Sequence, residues 1–243
     1  MKALFTLGNP KTVKGEAQGV LTAVLHLSPA KRSGVANVCS HASPVCIKLC
    51  LNIAGRGGIF KAGERTNTIQ EARKRRTRDL FRDPLAFVIA ADAELVRLRK
   101  LAARRGLRLA VRVNGTSDLP WLAHTLASRN PDLTFYDYTK IPHAWSGAPE
   151  NLTYTFSRSE CNAAHVDIAL AAGINVAVVF STKRGQPLPA SYMGRPVVDG
   201  DLTDYRPSDP RGVIVGLRAK GKARGDTAGF VVDVDRMEDR AAA

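Results

Sequence analysis

The chain has 243 residues, 44% hydrophobic and 24% charged, a length and composition that suit a single-core soluble domain. No run approaches the roughly 18 apolar residues of a membrane span, and the first twenty residues lack the apolar centre of a signal peptide. Thirty-six Lys and Arg against 22 Asp and Glu leave a net charge of +14, a field that attracts polyanions such as nucleic acid.

The expected compartment is therefore the cytoplasm. In chain order, the apolar run 19–28 (GVLTAVLHLS) reads as a buried strand, followed by PAKRSG and a cysteine-rich loop at 39–50. A glycine-rich turn at 54–58 precedes a stretch from Glu64 to Asp83 that has no helix breaker. Asp83-Pro84 starts a second helix that Gly106 ends. Beyond it the pattern alternates. Strands are expected at 107–115, 133–140, 152–158, 175–181, 196–201, 212–219 and 230–234, and helices at 119–129 and 161–172. Residues 238–243 read as a frayed tail. With no linker or internal repeat, residues 1–243 form one α/β domain. Its expected architecture is an incomplete (β/α) barrel with mainly parallel strands, whose ligands sit at the C-terminal strand ends.

Four cysteines occur, three of them within twelve residues: Cys39, Cys46 and Cys50 in the run CSHASPVCIKLC. Nothing points to secretion, so a disulfide framework is excluded and clustered thiols point to metal. Cys46 and Cys50 are four apart, one helical turn, and Pro44 suits a loop entering that helix. Structural zinc favours two paired short knuckles, whereas three thiols on one loop suit a cubane, the [4Fe-4S] cluster. His41 inside the loop is an alternative ligand or a plain solvent-facing residue. Cys161, just past the strand at 152–158, is the expected fourth ligand. Its ligation would close the cluster, and its absence would leave one iron open.

A strand, a three-cysteine loop and following βα units resemble the radical-SAM barrel enzymes, although their usual spacing is C-x3-C-x2-C. The chain is also similar to an actinobacteriophage protein family with a C-x6-C-x3-C loop. That resemblance rests on C-S-H-A-S-P-V-C-I-K-L-C-L-N, on F-Y-D-Y-T-K and on D-G-D-L-T-D-Y-R-P-S-D-P-R-G-V-I-V-G-L-R-A-K-G, spread over residues 39–221. It implies a phage cluster protein with a barrel-like fold, acting in the host cytoplasm if phage-encoded.

Polar residues gather at the expected strand ends. Asn114, Asp118, Asp137, Lys140, Arg158, Glu160, Asp199 and Asp201 are the candidate catalytic set, with Asp204 and Asp209 close by. Cations that hold a phosphate and carboxylates that handle a proton match phosphodiester chemistry. The DGDLTDYRPSD run reads either as an acidic Mg²⁺ loop or as turn chemistry. Arg73, Lys74, Arg75, Arg76 and Arg78, with Arg104 and Arg105, form basic tracts that suit a phosphate track. The leading expectation is a cluster-containing enzyme that hydrolyses RNA, its closed cluster structural. The alternatives are a radical-SAM-type enzyme with an open iron and a non-catalytic nucleic-acid-binding cluster protein.

Overall fold

A computed structural model of the chain describes residues 3–8, 12–53, 55–60 and 63–237; the expected tail at 238–243 and Ala54 of the glycine-rich turn lie outside the described residues. The elements follow in the order β1 (Phe5–Leu7), β2 (Val20–Leu25), α1 (Pro44–Lys48), α2 (Thr68–Arg82), α3 (Pro84–Arg104), β3 (Arg108–Arg112), α4 (Pro120–Arg129) and β4 (Thr134–Thr139). They continue with β5 (Leu152–Ser157), α5 (Ala163–Ala171), β6 (Asn175–Phe180), β7 (Ser191–Tyr192), β8 (Arg195–Asp199), β9 (Ile214–Arg218) and β10 (Val231–Val232). The short strands β1 and β7, each antiparallel to its neighbour, have no counterpart in the sequence reading.

These strands form one ten-stranded sheet in the order β1-β2-β3-β4-β5-β6-β9-β8-β7, with β10 on the end of β6. Every pairing from β2 to β8 is parallel. From β2 to β6 the strands follow chain order, so the sheet winds in one direction as a barrel does. It stays open, with β1 and β7 at its edges. The incomplete barrel expected from the strand–helix alternation is the architecture observed.

Strand periodicity of two divides the core. Leu21, Ala23, Leu109, Val111 and Phe135 pack against Phe87, Ala91 and Leu95 of α3 and Leu122 and Leu126 of α4. Further along, Phe156, Val176, Val178 and Ile214 pack against Val166 and Ala169 of α5. On the inner face Val20, Ala110 and Tyr136 meet Tyr205, which arrives from the loop after β8. That loop fills the space a closed barrel would give to inward side chains. Tyr136 and Tyr205 stack edge-to-face at 5.9 Å.

The N-terminal edge is held by polar contacts buried under α2 and α3. Glu94 accepts the N–H groups of Leu4 and Phe5 at 2.8 and 3.0 Å. Arg76 donates to the Ala3 carbonyl from Nε and Nη2 at 3.3 and 3.1 Å. Gly115 follows β3 where a Cβ would stand 2.6 Å from Val24 Cγ1 and 2.9 Å from the Leu25 carbonyl, so only glycine lets these two strand ends close up.

Candidate functional site

The C-terminal ends of the parallel strands open into one cavity of about 440 Å³, within the range of small-molecule sites. β2 delivers His26, β3 Arg112 and the following residues Asn114 to Asp118, β4 Tyr138, Thr139 and Lys140, β5 Ser157 and Arg158, and β9 Leu217 and Arg218. The cysteine loop supplies Cys39, Cys46 and Cys50 to the same wall.

The loop is held in place by its own polar residues. Ser43 caps α1, its hydroxyl oxygen accepting the Cys46 N–H at 3.0 Å while donating to Glu160 Oε2 at 2.9 Å. The Val38 carbonyl accepts the Asp118 N–H at 2.7 Å, which ties the loop to the end of β3. Because α1 stops at Lys48, Cys50 lies past the helix, and the single helical face expected for Cys46 and Cys50 is not formed. The expected entry at Pro44 is observed. Backbone N–H groups reach two of the sulfurs: Ala30 donates to Cys39 Sγ at 3.4 Å and Asn52 to Cys50 Sγ at 3.5 Å.

Burial pushes the Cys39 thiol up to about 12, the Ala30 N–H opposing and Cys50, Asp118 and Cys46 reinforcing the rise. Burial also raises Cys46, against the attraction of the Lys140 ammonium. Among the described residues no three His, Cys, Asp or Glu groups stand close enough to hold one metal ion. A tetrahedral zinc at a Zn–S distance of about 2.3 Å would need its sulfurs within roughly 4 Å of one another. A cubane puts each thiolate on its own iron, and Cys39, Cys46 and Cys50, which all line the cavity, are the residues that could hold one. Cys161 is exposed, off the cavity wall, with Ser159 Oγ at 3.7 Å.

The candidate catalytic residues separate. Asn114, Asp118, Lys140, Arg158 and Asp201 line the cavity; Asp137, Glu160 and Asp199 do not. Asp118 is gripped at both oxygens, Thr139 Oγ1 donating at 2.8 Å and the Lys140 N–H at 2.7 Å. Burial nevertheless raises its pKa, against those two bonds. Asp137 shares the helix-facing side of β4 with Phe135, whereas Tyr136 and Tyr138 point inward. It accepts the Asn114 N–H at 2.8 Å and Asn114 Nδ2 at 3.0 Å, a structural clasp between β3 and β4.

The acidic run after β8 is consumed by arginine and lysine. Asp204 pairs with Arg112 at 3.0 Å, Asp199 with Arg218 at 2.8 Å, and Asp201 with Lys220 at 2.7 Å. Asp199 Oδ1 also accepts the Asp201 N–H at 2.9 Å, a local turn bond. Asp199, Asp201 and Asp204 thus take part in ion pairs, and Asp199 also makes a turn bond of the kind expected of this run.

The basic tracts separate as well. Arg73 turns into the cavity, its Nη1 donating to Asn52 Oδ1 at 2.5 Å, and Arg76 is buried under β1. Lys74 pairs with Glu71 and Arg105 with Glu16. Arg78 and Arg104 are exposed, and Arg75 is half-buried.

Two contributors escape the sequence reading. Arg112 lies over the Tyr138 ring at 4.5 Å; burial works against its charge, but Asp204 and then Tyr138 and Tyr136 outweigh it and hold the pKa above the ordinary value. Burial, followed by Arg73 and Arg112, brings His26 down to about 3, so the imidazole is neutral. The signal was present in both cases: a charged residue ending the apolar strand β3, and a polar residue just past β2.

No helix among the described residues is long and apolar enough to cross a membrane. No curated protein and no solved structure matches the chain. Residues 3–234 match the family described as Gene product 88.

Proposed function

The chain belongs to the Gene product 88 family, and from that premise and the cavity's donors we propose that it is an enzyme carrying a [4Fe-4S] cluster on Cys39, Cys46 and Cys50, with one iron left without a protein thiolate. The observation that carries this reading is the division of the cysteines: three line the cavity and Cys161 does not. Bound there, a cluster with an open iron supplies one-electron chemistry to a chelating cofactor such as S-adenosylmethionine.

The remaining roles belong to the chain itself. Ser43 and Asp118 hold the cysteine loop to the sheet. Asp118, its carboxyl raised by burial, holds or releases a proton at the cavity wall. Tyr138, Val179, Leu217 and Phe230 give the cavity an apolar lining that excludes water from reactive species. We place this reading ahead of RNA hydrolysis around a closed cluster because Asp137, Asp199 and Glu160 are occupied elsewhere.

The test is anaerobic purification followed by iron and sulfide assay. Brown protein with about four irons per chain is expected, together with cleavage of S-adenosylmethionine once the protein is reduced. Colourless protein carrying one zinc would end the cluster reading. Four irons without cleavage of the cofactor would return priority to the closed, structural cluster.

A nucleic-acid partner, RNA first, remains part of the proposal because the net charge is +14 and Arg78 and Arg104 are exposed. Binding should weaken steeply with salt, and the combined change of Arg75, Arg78 and Arg104 to Ala should flatten the log–log slope by about 0.7 for each single-strand phosphate that is no longer neutralised. A slope equal to that of the unaltered chain would remove these residues from the interface.

A further inference from the structure

Six cations line the cavity, Arg73, Arg112, Lys140, Arg158, Arg218 and Lys220, against three carboxylates, Asp118, Asp201 and Asp204. The carboxylates are unevenly shared. Asp204 pairs with Arg112, and Asp201 serves Lys220 and Arg218. Asp118 is held by Thr139 and a backbone N–H. Arg158 donates to the Gly229 and Phe230 carbonyls at 2.9 and 3.2 Å. Among the described residues no carboxylate stands within ion-pair distance of Arg73 or Lys140.

Two further donors of the cavity-lining arginines are also unmet. Arg73 Nε and Arg112 Nε are both buried, and neither has a hydrogen-bond partner. A buried donor on a charged group is costly to leave without an acceptor. Both guanidiniums are already fixed in position, Arg73 by the carbonyl and side chain of Asn52 and Arg112 by Asp204 and the Tyr138 ring. His26, which feels both charges, offers no counter-charge. The Thr6 hydroxyl gives its proton to the Val24 carbonyl at 3.0 Å, so its oxygen accepts from His26 Nδ1 at 3.2 Å.

We infer that Arg73 and Arg112 form an oxyanion subsite in the cavity, and that the molecule the cavity takes carries a phosphate or carboxylate group bound there. Guanidinium forks held rigidly on a wall with twice as many cations as carboxylates are suited to such a group, and their preorganisation lowers the ordering entropy of binding. Lys140, 5.7 Å from the Phe230 ring centroid, adds a third positive charge on the same cavity wall. This subsite requires no cluster, although it lies in the cavity assigned to one.

Thermal denaturation of the purified chain in phosphate, acetate or chloride at equal ionic strength, with iron content measured on the same sample, tests it. A saturable rise in Tm with phosphate or acetate, beyond that with chloride, is expected, and whichever anion is favoured identifies the group. Arg73→Gln should raise the half-saturating concentration at least about tenfold, while Arg32→Gln on the exposed turn leaves it unchanged. If Arg73→Gln does not fold, Arg73→Lys, which keeps the charge and removes Nε, should still weaken the response. Equal stabilisation by all three anions, or a folded Arg73→Gln that responds as the unaltered chain does, would overturn the subsite. An oxyanion response in iron-free protein would defeat the cluster reading alone, and iron-loaded protein without the response would defeat this inference alone.

Discussion

Cys46→Ala reconstituted under anaerobic conditions should fall from about four irons per chain toward none, whereas Cys161→Ala should keep the full complement. The asymmetry follows from position. Cys46 shares the cavity wall with Cys39 and Cys50, and its loop is tied to the rest of the site by Ser43, Glu160 and Asp118. Removing one of three thiolates leaves two, too few to retain a cubane. Cys161 is exposed and off that wall, with a serine hydroxyl beside it. Its loss should also leave the rate of bleaching in air unchanged. Iron assay and visible absorption on the two variants, with folding verified by circular dichroism, read the outcome. If Cys161→Ala drops to a three-iron species, Cys161 is a ligand, the cluster is closed, and the structural-cluster enzyme becomes the better reading.

The second large effect is expected at Asp137, which sits 1% exposed between β3 and β4. Burial pushes its pKa up to about 7, the hydrogen bonds from Asn114 and the charge of Arg112 opposing the rise. In the unfolded chain the same carboxyl titrates at about 3.9. Between these values the folded state binds more protons than the unfolded state, so unfolding free energy falls as pH increases from about 4 to about 7 and levels off above. The stability that disappears over that window is at most about 4 kcal/mol. Denaturant titrations at pH 5 and pH 8 measure it. Asp137→Leu should remove the slope and cost about 2–4 kcal/mol near neutral pH, because the buried Asn114 N–H loses its acceptor and Nδ2 keeps only the Leu119 carbonyl. A flat profile in the unaltered chain would show that the carboxyl is ionised throughout and only clasps the strands.

Much of the fold was legible because local patterns carried it. The apolar run at 19–28, the Asp83-Pro84 start and the Gly106 stop, where φ is 67°, each reflect nearest-neighbour rules of strand burial and helix capping. The strands β1 and β7, three and two residues long, were missed, whereas the two-residue β10 was found because it lies within the apolar run at 230–234. The site was legible only in part. Asn114, Asp118, Lys140, Arg158 and Asp201 stand at strand ends and line the cavity, as their positions suggested. Asp137 has the same residue type and the same setting, yet the two-residue alternation of β4 turns it toward the helices. One residue of register decides between a cavity wall and a buried clasp. The basic tract shows the same effect on a helix, where Arg73 and Arg76 turn inward while Arg78 remains in solvent.

By itself the sequence determined most of the elements, the parallel α/β class and the grouping of three cysteines on one short loop, since these depend on composition, periodicity and spacing along the chain. Only the tertiary structure decided which cysteines share a cavity, which carboxylates are already neutralised and which guanidiniums lack an acceptor. Asp204 lies 92 residues from Arg112, and Asn52 21 residues from Arg73. A charge has no chemical role until its partners are known, and those partners are brought together by the curl of the sheet and the loop after β8, not by adjacency in the chain.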